Sequence, residues 1–186
     1  ITGSVSGNLE GAGVGRDGIE IRKSLQGKGG LAIRDGVFPN VNLIHSVLRR
    51  VTLVPALGEV LIAGIPPHFQ PLLNRSDTPF ELLQAEFVIQ DERVSFQRFF
   101  VKDRHYQLEA EGTLGLQGDI HLRAQLVLME ELSQFLVGRV RELSALTNVQ
   151  GRIVIPFVYR GNWLAARPRP DLNYLAEQLL RDQGAR

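Results

Sequence analysis

The run Tyr106-Gln107-Leu108-Glu109-Ala110-Glu111-Gly112-Thr113-Leu114 and the run Ile120-His121-Leu122-Arg123-Ala124-Gln125-Leu126 decide the fold. In each, apolar and polar residues alternate with period two, the signature of a strand with one dry and one wet face. Only Gln117-Gly118-Asp119 and its neighbours separate them. A connection that short joins antiparallel strands, because parallel neighbours need long crossovers.

The pattern extends in both directions. Upstream, Leu83, Ala85, Phe87 and Ile89 alternate in a strand that starts near Thr78, and Gln90-Asp91-Glu92-Arg93 reads as a turn. Val94 to Lys102 is the next strand, with an apolar parity that slips between Phe96 and Phe99 as a β-bulge would make it. Downstream, Ile153, Ile155, Phe157 and Tyr159 alternate in a strand over 152–160, where Pro156 suggests an edge or a bulge. Nearer the start, Gly29 to Phe38 reads as a strand with a turn or bulge at Asp35-Gly36, and Ser4 to Glu10 as a short one. The expectation is one α+β core, dominated by an antiparallel meander of at least five strands.

Helical spacing appears between these runs. Asn40 offers an N-cap for a helix over 41–51, and Leu132, Phe135, Leu136, Val140 and Leu143 fall on one side of a helix over 129–146. Gly18 to Leu25 reads as a helical turn or loop with Ile19, Ile21 and Leu25 inward. Val54 to Leu73 reads as irregular with one helical turn at 58–63, and a nearly uncharged stretch over 51–67 as a partly exposed apolar loop. Arg167-Pro168-Arg169-Pro170 reads as a stiff connector before a helix capped by Asp171.

The chain has 186 residues, 44% of them hydrophobic and 22% charged, which suits one globular domain with no internal linker. Twenty-one basic against 20 acidic residues give a net charge of +1, no electrostatic footprint for nucleic acid. The absence of cysteine excludes disulfides, thiolate metal sites and cysteine nucleophiles. The chain opens at Ile1 without an initiator Met, which leads us to expect a processed chain or a piece of a longer one. No apolar run is long enough to cross a bilayer.

Chemical motifs are sparse. Gly13-Val14-Gly15-Arg16-Asp17-Gly18 fits the letters of a dinucleotide-binding turn, but the polar residues before it and the antiparallel sheet argue for turn glycines. His45, His68, His105 and His121 form no metal-ligand spacing, and Ser4 and Ser6 form no nucleophile motif. Asp91-Glu92 sit in a hairpin turn and Glu130-Glu131 in the first turn of a helix, where carboxylates complement the dipole. The expectation is a non-enzyme with no catalytic residue, no metal and no cofactor. What stands out is the apolar sheet face: it either packs wholly on helices over 41–51, 130–146 and 171–181, or part of it lines an open groove.

The order of the segments carries a resemblance. Thr78-Pro79-Phe80-Glu81-Leu82-Leu83-Gln84-Ala85-Glu86-Phe87-Val88-Ile89 is similar to the F-x-x-L-x-A-x-F-x-I-x-D-G stretch of the AsmA-like C-terminal domain, with Asp91-Glu92 where that family has Asp-Gly. Tyr106 to Leu114 resembles its next strand. Gly151-Arg152-Ile153-Val154-Ile155-Pro156-Phe157 with Arg160-Gly161 resembles its G-x-x-x-I-P-x-x-x-x-G ending, followed by Pro170-Asp171-Leu172. Upstream, Ser24 to Gly29 and Leu31 to Asn42 resemble L-x-G-x-G-x-L-x-I-x-D-G-x-x-x-x-x-N-L. The resemblance spans most of the chain in the right order.

It implies a curved antiparallel sheet with a few packing helices, as a single domain over residues 1–186 that belongs to a longer membrane-anchored chain. AsmA-like proteins and their TamB relatives are Gram-negative envelope proteins, held in the inner membrane and projecting into the periplasm, and are associated with phospholipid transport in outer-membrane biogenesis. The implied function is a lipid-binding or lipid-conducting module of a bridge-like transport protein, the alternative being a structural or partner-docking domain of the envelope without a groove. The implied partners are phospholipid acyl chains and envelope proteins. By strand parity Phe87, Ile89, Leu108, Ala110, Ile120, Leu122 and Leu126 share one face; the resemblance makes that face the expected lipid contact.

Overall fold

The computed structural model describes residues 1–51, 66–162, 165, 168–171, 174 and 177, without the side chains of 48–51. The chain runs β1 (Thr2–Ala12), α1 (Gly18–Ser24), β2 (Gln26–Phe38), α2 (Leu43–Val51), α3 (Gln70–Asn74), β3 (Thr78–Gln90), β4 (Arg93–Lys102), β5 (Tyr106–Gly115) and β6 (Asp119–Leu128). It continues through α4 (Glu130–Arg139), a 3-10 helix (Arg141–Leu146), β7 (Val154–Asn162) and β8 (Arg169–Pro170). All eight strands form one open sheet in sequence order, every neighbour antiparallel. The expected α+β meander is present, with eight strands.

The connections sort by end. At one end, β2 passes to β3 through α2 and α3, and β6 passes to β7 through α4 and the 3-10 helix. At the other end, β3 turns into β4 at Asp91-Glu92 and β5 into β6 after Gly115. Among the described residues, the helices α2, α3 and α4 that cover the sheet therefore arise from one end. Beneath them Ile33, Leu83, Val101, Leu108, Leu126 and Ile155 form a continuous cross-strand row, each buried, that joins Val47, Phe69, Leu132 and Leu136 in the core.

Local chemistry explains the elements. Asp17 caps α1, its side chain accepting from the backbone N–H of Ile19 and Glu20 at 2.8 Å. Asp91 and Glu92 take φ of 53° and 56°, the left-handed pair of a two-residue hairpin turn. The bulge expected in β4 falls on Gln97: Phe87 pairs with Phe96 while Glu86 pairs with Arg98. Asp35-Gly36 also bulges, against Gly3 of β1.

Several expectations change. The cap of α2 is Asn42, whose Oδ1 accepts from the His45 N–H at 2.8 Å, while Asn40 takes φ 58° in the preceding turn. The helix expected over 129–146 breaks at Val140, where the backbone turns extended, and resumes as a 3-10 helix. Arg169-Pro170 is a short strand paired with Phe157 and Val158, and Pro156 of β7 lies just beyond that pairing. Ile19 and Ile21 of α1 are exposed, because a helix this short at the hairpin end finds no layer to pack against. Asp171 does accept from the Tyr174 N–H, at 3.1 Å. The helical turn expected at 58–63, most of the apolar loop over 51–67 and most of the last helix lie outside the described residues.

Candidate functional site

The apolar face has a covered half and an uncovered half. Next to the buried row lies Leu31–Ala85–Phe99–Ala110–Ala124–Phe157, still touching the core. Beyond it come Gly29–Phe87–Phe96–Gly112–Leu122–Tyr159 and then Gly27–Ile89–Val94–Leu114–Ile120–Gly161. Phe96 touches the core; Phe87, Ile89, Val94, Leu114, Ile120 and Leu122 are half-buried and outside it. No helix among the described residues springs from the turns at that end except α1, which is tied to the β3–β4 hairpin by an Arg22 Nε to Glu92 Oε1 bond of 2.8 Å. That guanidinium holds the Glu92 carboxyl below the usual carboxylate range.

All seven residues singled out by parity share this face, but not this half. Phe87, Ile89, Ile120 and Leu122 lie in the uncovered rows. Leu108 and Leu126 are in the buried row, and Ala110 is packed beside it. The sequence reading left out Val94, Leu114 and Phe96, which complete the uncovered patch. On β4 the parity slip between Phe96 and Phe99 is the signal that finds them: strict alternation back from Val101 puts Gln97 and Ser95 on the apolar face, and counting Gln97 as the extra residue restores Phe96 and Val94.

The rings in the patch pack edge to face, Phe87 with Phe96 at 6.4 Å and Phe96 with Phe99 at 5.5 Å. Glycines flank them. A Cβ on Gly29 would lie 2.9 Å from Phe87 Cζ, so the absent side chain leaves room for the ring. The rows hold no charge across β2 to β7, so the surface is apolar.

The opposite face is polar. A cleft of about 530 Å³ crosses β4 to β7 there, with Arg98, Phe100, Glu109, Glu111, Arg123 and Gln125 in its lining. Beside it Arg160 Nε donates to His121 Nε2 at 3.0 Å. Two guanidinium groups, of Arg98 and Arg123, share the lining with three carboxylates, of Glu109, Glu111 and Asp171, so the cleft carries both signs of charge. Among the described residues no three His, Asp or Glu side chains are grouped to hold a metal ion. The glycine-rich turn over 13–18 leads into α1 of seven residues, and Asp17 serves as its cap.

No family model, curated protein or solved structure matches the chain. The likeness to AsmA-like domains therefore rests on the ordered motifs alone, and the functional reading on those motifs with the uncovered apolar rows.

Proposed function

We propose that this chain is a lipid-binding module that takes phospholipid acyl chains on the uncovered half of its apolar sheet face. The observation that carries this reading is the pair of half-buried rows built from Phe87, Leu122, Ile89, Val94, Leu114 and Ile120, apolar and free of covering helices among the described residues. Across β3 to β6 the outermost row is ~14 Å long at ~4.8 Å per strand. That is close to half of a ~30 Å hydrocarbon core, the depth of one acyl layer. Each methylene withdrawn from water contributes ~0.8 kcal/mol, so many weak contacts suffice and no single polar anchor is required. The motif likeness supports a role in phospholipid transport within the periplasm of a Gram-negative envelope, tethered to the inner membrane and without enzymatic chemistry.

The test is lipid capture. Phospholipid should co-purify with the chain, and a photo-crosslinking residue at position 122 or 120 should capture it, while one at Arg123 on the polar face should not. Leu122→Asp should abolish capture because an unpaired charge on an apolar surface repels the chain, with a Tm loss below about 5 °C. Absence of lipid, equal capture at position 123, or unfolding of Leu122→Asp would leave a docking domain with an ordinary core.

A further inference from the structure

We infer that the outer edge of β1 pairs with β1 of a second copy of this chain, antiparallel about Gly7, to make one continuous sheet. β1 is long and every residue in it is exposed. It forms the first strand of the sheet and, among the described residues, pairs with β2 alone. An edge of this kind presents unpaired N–H and C=O groups, and proteins normally blunt it with lysine, proline or short length. β1 has no Lys or Pro, and its one bulge lies at Thr2–Ser4, leaving Ser4 to Ala12 regular.

Val5 and Leu9 identify the occupant. They lie opposite Ile33 and Gly29, so both belong to the apolar face, yet they are 68% and 66% exposed. An antiparallel partner centred on Gly7 sets Val5 of each copy against Leu9 of the other. The same register opposes Ser4 to Glu10 and Ser6 to Asn8, so Glu10, the only charge of β1, meets no like charge. Shifting the centre by one residue either way in an even register, to Ser6 or Asn8, sets both apolar residues against glycines. A register of odd offset turns the two apolar faces to opposite sides. The strand is complementary to itself in one register. With the two-fold axis normal to the sheet, both apolar faces end on one side and the uncovered rows run on across the junction. Among the described residues the other edge is β8, two residues long and ending in Pro170, too short to extend the assembly. The pairing therefore closes as a dimer. It does not depend on the lipid reading.

Light scattering of this chain over a concentration series should show a monomer–dimer equilibrium. Val5→Lys with Leu9→Lys places like charges opposite each other twice and should weaken the dimer at least about tenfold. Val5→Lys with Leu9→Glu places opposite charges there and should restore the dimer, now salt-sensitive. Circular dichroism checks that both variants fold, and the two share the same lysine in the strand. In a chain without cysteine, Val5→Cys with Leu9→Cys should form an intermolecular disulfide, since directly opposed residues lie within bonding range. Either cysteine alone should not, its own copy being four residues out of register. A monomer at every concentration, a dimer indifferent to the two lysines, or equal crosslinking by Val5→Cys alone would overturn the proposal.

Discussion

Gly112 lies directly opposite Leu122 in the β5–β6 ladder, so the flank of Leu122 towards β5 carries no side chain. Gly112 also takes φ +134°, and a Cβ there would run into the carbonyl oxygen of His121. The bulge at Gln97 sits across the other ladder, where Phe96 pairs with Gly112. A glycine beside a bulge lets the sheet bend sharply while leaving the apolar surface open next to Leu122.

Gly112→Ala should destabilise the fold by ~1–3 kcal/mol, since it combines a disfavoured φ with a backbone collision. Gly138, near the end of α4, has open space around it and ordinary helical backbone, so Gly138→Ala should instead stabilise by ~0.5–1 kcal/mol. Urea unfolding of both variants measures the contrast. Equal effects would mean that Gly112 relaxes freely and sets no bend.

Ser133 is the buried polar side chain that joins α4 to the sheet. Its Oγ donates to the Leu128 carbonyl at 2.9 Å and accepts from the Ile153 N–H at 3.0 Å, bridging the end of β6 to the approach to β7. Ser133→Ala would leave the Ile153 N–H buried without that acceptor, at a cost of ~1–3 kcal/mol. Amide exchange at Ile153 should accelerate in step. Unchanged exchange would show that the N–H finds another partner.

How far the sequence carried this fold depends on what each residue's surroundings add. Strand periodicity at Leu83–Ile89 and Ile120–Leu126 was legible because half the residues face a dry layer. The Gln97 bulge was legible too, as a slip of parity. What could not be read locally is where the cover stops. Leu126 and Leu122 look alike in sequence, and only the emergence of α2 and α4 from one end buries the first and leaves the second half-open. Asn40 and Asn42 are likewise equivalent caps on paper. The choice falls to Asn42 because its Nδ2 also donates to the carbonyls of Leu72, Leu73 and Arg75 across the connection.

His105 should make stability fall in mild acid. It sits in the β4–β5 turn with Phe69 packed edge-on at 5.7 Å, and loss of hydration lowers its pKa, outweighing the attraction of Asp103. Arg104 and His68 oppose its charging and Glu131 favours it. The unfolded chain takes up this proton near pH ~6.5, whereas the folded chain resists until lower pH. This stability is therefore present above about pH 6.5 and lost as pH falls through the folded value. His105→Asn should lose less stability between pH 7.5 and pH 5 than the natural chain, by urea titration. Glu92, held low by Arg22, acts in a separate window below its usual carboxylate range. An identical slope in the His105 variant would show that His105 does not carry the acid sensitivity.

The division of the apolar face also makes a prediction about two leucines four residues apart on β6. Leu126 is fully buried between Leu108 and Ile155, within the cluster that includes Leu132 and Leu136. Truncating it removes packed atoms and leaves a cavity that rigid strands cannot close, so Leu126→Ala should cost ~2–5 kcal/mol. Leu122 is half-buried beside Gly112, with water already on one side. Leu122→Ala loses part of a transfer term and opens no enclosed cavity, so its cost should stay near ~1 kcal/mol. Chemical denaturation of the two variants, with the parent chain at the same concentration, reads the difference directly. If Leu122→Ala costs as much as Leu126→Ala, the hairpin end is packed as tightly as the helix end. The surface available to an acyl chain would then be gone, whatever the charge variants at position 122 do to lipid capture.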